Sequence, residues 1–251
     1  GLPTNLVYSD PLWRNYQFML KDKVFIQSVG NTFTYLLIQV PIMLVLAIIF
    51  ASLLNNRDLK FRGLFRTCIF LPCATGLVAY SMIFRTLFTY DGMVNALLMN
   101  IGILSEPINW LNDPNTAKAV IILGLIWRWT GYNMVFFLSG MQSIEYSIYE
   151  AARIDGANQF QQLMKITIPL LKPIILVTGI MSTNGTLQLF DESVNLTRGG
   201  PSNTTITMSH YIYNKMFIGN PNFGYAAAMS FVILIMVAFL SAIETKVGDK
   251  R

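Results

Sequence analysis

The sequence predicts an all-α fold, a polytopic membrane helix bundle with about five spans, and three observations predict it. Of its 251 residues 53% are hydrophobic and 12% charged, about half the charged share of an ordinary soluble chain. Mean hydropathy is +0.49. Apolar runs near the roughly 20 residues that a helix needs to cross a bilayer recur along the chain, and basic residues gather in alternate connecting segments.

The first span covers about 33–54 and has no charge, with Pro41 inside it. Membrane helices tolerate such a proline where neighbours satisfy the freed carbonyl. The second, about 64–84, contains Pro72. The third, about 116–141, is interrupted by Arg128, a costly residue in a span unless it is paired or near a cavity. The fourth, about 168–190, carries a polar patch of Ser182, Thr183, Asn184, Thr186 and Gln188, and the fifth covers about 223–243. The whole chain, 1–251, reads as one transmembrane domain with no internal repeat.

Lys and Arg in short loops set orientation. Arg57, Lys60, Arg62 and Arg66 follow the first span, Arg153, Lys165 and Lys172 lie after the third, and Lys246, Lys250 and Arg251 follow the fifth, together ten of the eighteen basic residues. These segments share one side, read as the cytoplasm, so the C-terminus is expected there. Residues 1–32 then fall outside, and a further span ahead of them is the natural expectation. Pro11–Asn31 reads as short helices on the outer membrane surface, and Arg198–Asn203 as a turn-rich loop.

The net charge of +5 reflects this loop bias rather than a nucleic-acid surface, because no basic patch is interleaved with aromatics. Cys68 and Cys73 do not have zinc spacing and no second pair exists, so no metal site is expected. There is no Gly-x-x-x-x-Gly-Lys-[Ser/Thr] phosphate loop. Asp191, Glu192 and His210 form no recognisable catalytic constellation; the two acids read as interfacial and the histidine as an exterior loop residue. Intramembrane catalysis is therefore a remote alternative.

The segment 143–169 is too polar to span. Ser147 with Glu150 three residues on is a capping-box pattern, Gly156 is a helix stop, and Phe160, Leu163 and Met164 have helical spacing. The segment therefore predicts a short capped helix, a turn, and an amphipathic helix ending at Pro169. Ala151 and Ala152 give the first helix a small-residue face suited to a groove on a partner; an ordinary interfacial loop explains the same spacing equally well.

The run Glu150-Ala151-Ala152-x-x-Asp155-Gly156-Ala157, followed by Ile166, Pro169 and Pro173, resembles the EAA loop of ABC importer permeases. Asn31-Thr32, Phe61-Arg62, Leu71-Pro72, Phe190-Asp191, Leu196-Thr197, Gly199-Gly200-Pro201 and Phe223-Gly224-Tyr225 extend the resemblance over most of the chain, to the binding-protein-dependent sugar permeases of the maltose and oligosaccharide type. It is nearest to the first of that family's two permease subunits. Leu163 stands where an aromatic residue is common in that family.

The resemblance implies a non-enzymatic subunit of an ATP-driven importer in a bacterial-type cytoplasmic membrane. Its expected partners are a dimer of ATP-binding subunits, a second homologous permease and an extracytoplasmic solute-binding protein. ATP and Mg would be bound by the ATPase and no cofactor by this chain. Glu150, Ala151, Ala152, Asp155, Gly156 and Ala157 would be the contact to the ATPase. Polar residues within spans tend to face a cavity, which makes Tyr132, Asn133, Asn184, Thr186 and Gln188 candidates for the substrate path, with Trp127 and Trp129 able to stack on sugar faces. Amide bonds between helices explain the same residues. A carbohydrate is the expected cargo, since a phosphate would call for basic residues and only Arg128 offers one. An amino acid, peptide or polyol phosphate is the alternative.

Overall fold

The computed structural model describes residues 11, 13–56 and 58–248. Arg57, Lys250 and Arg251, three of the basic residues used for orientation, lie outside the described residues. Among the described residues eleven α-helices run in order: α1 Arg14–Met19, α2 Lys23–Asn55, α3 Arg62–Ala74, α4 Leu77–Leu87, α5 Met93–Asn100, α6 Pro114–Gln142, α7 Tyr146–Ile154, α8 Gln159–Gln162, α9 Ile168–Leu187, α10 Met208–Phe217 and α11 Phe223–Gly248. Two π-helical turns, Leu163–Thr167 and Ser193–Thr197, interrupt this order, and no strand occurs among the described residues.

Among the described residues four helices are long and apolar enough to cross a membrane: Lys23–Asn55, Pro114–Gln142, Gln159–Leu187 and Phe223–Gly248. The predicted second span is not straight: α3 and α4 meet at an angle of 98°. Pro72 removes one backbone donor near the end of α3, and Thr75 and Gly76 then turn extended (ψ 143° and 139°). Two carbonyls at the break are met from α6. Arg128 Nη1 donates to the Thr75 oxygen at 2.9 Å and Nη2 to the Cys73 oxygen at 3.4 Å, so the interrupting charge of the third span is a cap for the second.

The first long helix also begins earlier than expected. Asp22 accepts from the amides of Val24 and Phe25, a good N-cap, so residues 23–31 join the span instead of lying on the surface. Its polar stripe points inward. Asn31 Nδ2 donates to the Asn203 and Ile206 carbonyls at 3.2 and 2.9 Å, and Tyr35 donates its hydroxyl to the Thr205 carbonyl at 3.3 Å.

The bundle packs around α6, whose glycines admit close neighbours. A Cβ at Gly131 would fall on the Ile69 carbonyl oxygen of α3, so only glycine lets these two backbones lie together. One core cluster, including Ala47, Ala51, Phe137, Leu138 and Leu171, fills the end of the bundle that carries α7. Another, including Met19, Phe25, Tyr211 and Tyr225, fills the opposite end. At that end the buried Asn95 holds the 90–110 segment, donating to the Tyr90 and Ile108 carbonyls and accepting from Trp110 Nε1 at 2.8 Å.

Candidate functional site

Two regions collect the candidate residues, one at each depth of the bundle. The first is α7 with the turn and helix C-terminal to it. Helix α7 forms, but its predicted start does not: it begins at Tyr146 after Glu145, with no side-chain cap. Ser147 sits one position inside the helix, with its hydroxyl 3.4 Å from Glu145 Oε2, too late in register to receive the N3 amide. A capping box does occur in the segment, one helix later. Asn158 Oδ1 accepts from the Gln161 amide at 2.8 Å, and Gln161 Oε1 accepts from the Asn158 amide at 2.9 Å.

Gly156 does stop the helix. It has φ +80°, its amide donates to the Arg153 carbonyl at 3.0 Å, and the Ala157 amide donates to the Ala152 carbonyl at 2.9 Å, the paired bonds of a Schellman motif. No residue of α7 is buried. Glu150, Ala151, Asp155 and Gly156 are exposed, while Ala152 and Ala157 are half-buried. The helix is nonetheless fastened to the bundle. Tyr149 Oη lies 2.9 Å from Thr167 Oγ1, and Gln162 Nε2 donates to the Ala157 carbonyl at 2.8 Å.

The second half of the segment departs from the expectation of a separate helix ending at Pro169. Helix α8, the π-helical turn and α9 form one apolar helix from Gln159 to Leu187. Pro169 has no N–H to return to the carbonyl four residues back, and the widened turn Leu163–Thr167 precedes it. Phe160 and Met164 are exposed, while Leu163 packs on the core. A large cavity of about 1270 Å³ opens between α7 and the ends of α2, α3 and α6, with Asn55, Arg62, Gln142, Tyr149 and Arg153 among its lining.

The second region is a cavity of about 290 Å³ deeper in the bundle, near the lower bound of about 300 Å³ for ligand pockets. Tyr132, Asn133, Thr186 and Gln188, four of the five substrate-path candidates, line it together with Trp129. Asn184 faces α11, where its Oδ1 accepts from Ser241 Oγ at 3.1 Å. Trp127 packs on Tyr80 and Phe84, while Trp129 meets Tyr132 edge-on at 5.8 Å between centroids.

The lining also includes residues that were not among the candidates, Gln39, Met43, Asp191 and Glu192 among them. Gln39 is the lone amide in the charge-free first span, a signal that was available. Glu192 is not interfacial as expected; it is 3% exposed, because the π-helical turn after it folds the chain back under α4. Burial pushes its carboxyl up to about 7, with the neighbouring Asp191 adding to the rise, and its own amide and Arg128 opposing it. His210 is likewise no exterior loop residue. It is buried in α10, Nδ1 lies 2.8 Å from Ser193 Oγ, and burial lowers its pKa. Among the described residues no group of three or more His, Cys, Asp or Glu side chains is placed to hold a metal.

Known proteins resemble this chain over nearly its whole length. Residues 23–249 match the model of the family described as binding-protein-dependent transport system inner membrane component. The lactose transport system permease protein LacF of Rhizobium radiobacter is 54% identical over 232 residues, 92% of this chain and 78% of LacF. The arabinooligosaccharides transport system permease protein AraP of Bacillus subtilis is 34% identical, over 91% of this chain and 73% of AraP. The fold matches a chain in the crystal structure of a bacterial alginate ABC transporter in complex with an alginate pentasaccharide-bound periplasmic protein. There the TM-score is 0.84 at 24% identity, covering 94% of this chain and 84% of that one. Family match and fold agree, and the chain belongs to the inner-membrane permease components of binding-protein-dependent transport systems.

Proposed function

We propose that this chain is one of two permease subunits of an ATP-driven carbohydrate importer, with α7 as the element that couples it to a separate ATPase. The observation that carries the coupling role is the contrast in α7: none of its residues is buried, yet its end is locked by a Schellman motif and its flank by Tyr149 and Thr167. An exposed helix held this firmly suits a partner groove, and a rigid link passes displacement to a helix that runs on to Leu187. Glu150, Ala151, Ala152, Asp155, Gly156 and Ala157 are the contact surface in this reading.

The ATPase would bind ATP and Mg, and this chain no cofactor. The α7 end and the C-terminus face the cytoplasm, the side on which the basic loops gather, and the opposite end receives a solute-binding protein, the kind of partner seen with the alginate transporter. Carbohydrate cargo is supported by the lactose and arabinooligosaccharide relatives and by the deeper cavity. Tyr132, Asn133, Thr186 and Gln188 supply there the aromatic and amide groups that sugars use.

Gly156→Leu tests the coupling role. A Cβ at this position meets nothing within 4 Å, so the change acts through the left-handed backbone, at a cost of about 1–2 kcal/mol. The expected result is an assembled transporter with uptake at least about tenfold lower per ATP hydrolysed. Uptake and ATPase at the levels of the unchanged protein would reject α7 as the coupling element.

A further inference from the structure

The wall of the deeper cavity holds two amides that share one poor acceptor, the Met43 thioether. Gln39 is 2% exposed and Asn133 3%. Gln39 accepts from Thr186 Oγ1 through Oε1 at 3.0 Å, but its Nε2 donates to the thioether of Met43 at 3.1 Å. Asn133 Nδ2 reaches the same sulfur at 3.5 Å and the Trp129 carbonyl of its own helix at 3.1 Å. A thioether is a weak acceptor, and a buried amide donor without a strong one is costly. A hydroxyl oxygen entering the cavity would out-compete the sulfur for both amides.

Carboxylate acceptors stand on the same lining, beside the hydroxyl and amide groups of Tyr132, Ser182, Thr186 and Gln188. Asp191 and Glu192 both contribute to the wall, and neither Lys nor Arg does. The nearby cation, Arg128, donates through Nη1 and Nη2 to the Thr75 and Cys73 carbonyls at the α3–α4 break. Amide donors and carboxylate acceptors on one lining match a polyol, since each hydroxyl both donates and accepts. An anionic saccharide would meet like charge in a confined space with no cation on the lining.

Resting on the carbohydrate reading above, we propose that this cavity is a filter for uncharged saccharides: Gln39 and Asn133 pass N–H groups from Met43 Sδ to cargo hydroxyls, while Asp191 and Glu192 accept cargo O–H groups and exclude uronates and phosphosugars. The filter would act at the permease, after any choice made by a binding protein. Gln39, Asp191 and Glu192 are its specificity-determining residues.

The test uses the complete transporter in nanodiscs without binding protein, so that selection is read at the permease. Binding of lactose, a panel of neutral oligosaccharides and digalacturonate is compared at about pH 8, where the Glu192 carboxyl is ionised. The filter predicts that the unchanged protein prefers its best neutral ligand over digalacturonate by at least about tenfold. In Asp191→Asn/Glu192→Gln the gap should close to about threefold or less, with assembly with the partner subunits and a melting curve like that of the unchanged protein as the control for folding. Asp191→Asn alone should narrow the gap in the same direction, and serves if the double variant does not assemble. Gln39→Leu should weaken the neutral ligand about tenfold. Equal binding of neutral and acidic sugars by the unchanged protein, or a gap untouched by removing the carboxylates, would overturn the filter and leave the carbohydrate reading standing. Failure to bind any saccharide would overturn both.

Discussion

The Arg128 guanidinium donates to the Thr75 carbonyl at 2.9 Å, so a charge that interrupts one long apolar helix completes the broken end of another. The same guanidinium lies over the Tyr80 ring at 5.3 Å and the Trp129 ring at 5.6 Å. Its neighbours thus include the start of the chain after the break and the wall of the deeper cavity. Arg128 is 6% exposed, and in a dry environment the carbonyls it serves have no water to replace it.

Arg128→Met is therefore expected to destabilise the protein by about 2–3 kcal/mol, the scale for losing charge-assisted bonds and leaving their acceptors bare. The loss is softened because Arg128 Nε is itself buried without a partner. Arg128→Lys, a point charge without the fork, should recover only part of the difference. Thermal melts of the detergent-solubilised protein check this, with Arg128→Met several degrees below Arg128→Lys and both below the unchanged chain. Coincident melts would mean that the α3–α4 break holds without the clasp.

Ser147 and Asn158 separate what pattern predicts from what geometry forms. The Ser147–Glu150 spacing has the form of a capping box, yet the helix starts two residues too early for it, whereas Asn158 and Gln161 make the reciprocal bonds. Ser147→Ala should leave transport and stability unchanged. Asn158→Ala should cost about 1 kcal/mol and loosen the turn between α7 and the long helix, lowering uptake per ATP hydrolysed. Equal effects of the two substitutions, measured by uptake and ATPase in proteoliposomes, would contradict this assignment.

The difference has a general reason. A capping pattern fixes a local preference, but register depends on what the preceding helix leaves behind; Ser143 here already ends α6, and the chain re-enters a helix at once. Gly156 was legible because a left-handed backbone excludes most other residues whatever the surroundings. The long apolar runs were legible for a similar reason, since bilayer thickness dictates their length. Burial of Glu192 and His210 was not, because it arises from the π-helical turn and from the Asn31, Tyr35 and Ser193 bonds that draw the 198–207 segment into the bundle. Those partners lie up to 175 residues away in the chain. Gln39 fell between the two: its polarity in an apolar run was visible, but its company with Asn133 on one sulfur required the packing of α2 against α6.

Asp22 links three elements at the end of the bundle opposite α7. Besides capping α2, its Oδ2 accepts from the Tyr211 hydroxyl at 2.6 Å and the Tyr225 hydroxyl at 2.9 Å. Burial alone would raise its pKa, but the tyrosine bonds and the Phe25 and Val24 amides outweigh it and hold the carboxyl below its ordinary value. A depressed carboxyl contributes stability that is complete above the unfolded-state value of about 4 and is lost as pH falls through the lower folded value. The unchanged protein should therefore lose thermal stability as pH falls below about 4, where Asp22→Asn, which keeps an N-cap oxygen but has no charge to neutralise, loses less. Near neutral pH the order is set by the missing charge-assisted bonds, and Asp22→Asn should melt lower. Melting curves of both proteins across this range decide the matter: the gap between them must narrow with acid, and a gap independent of pH would assign Asp22 a purely steric role.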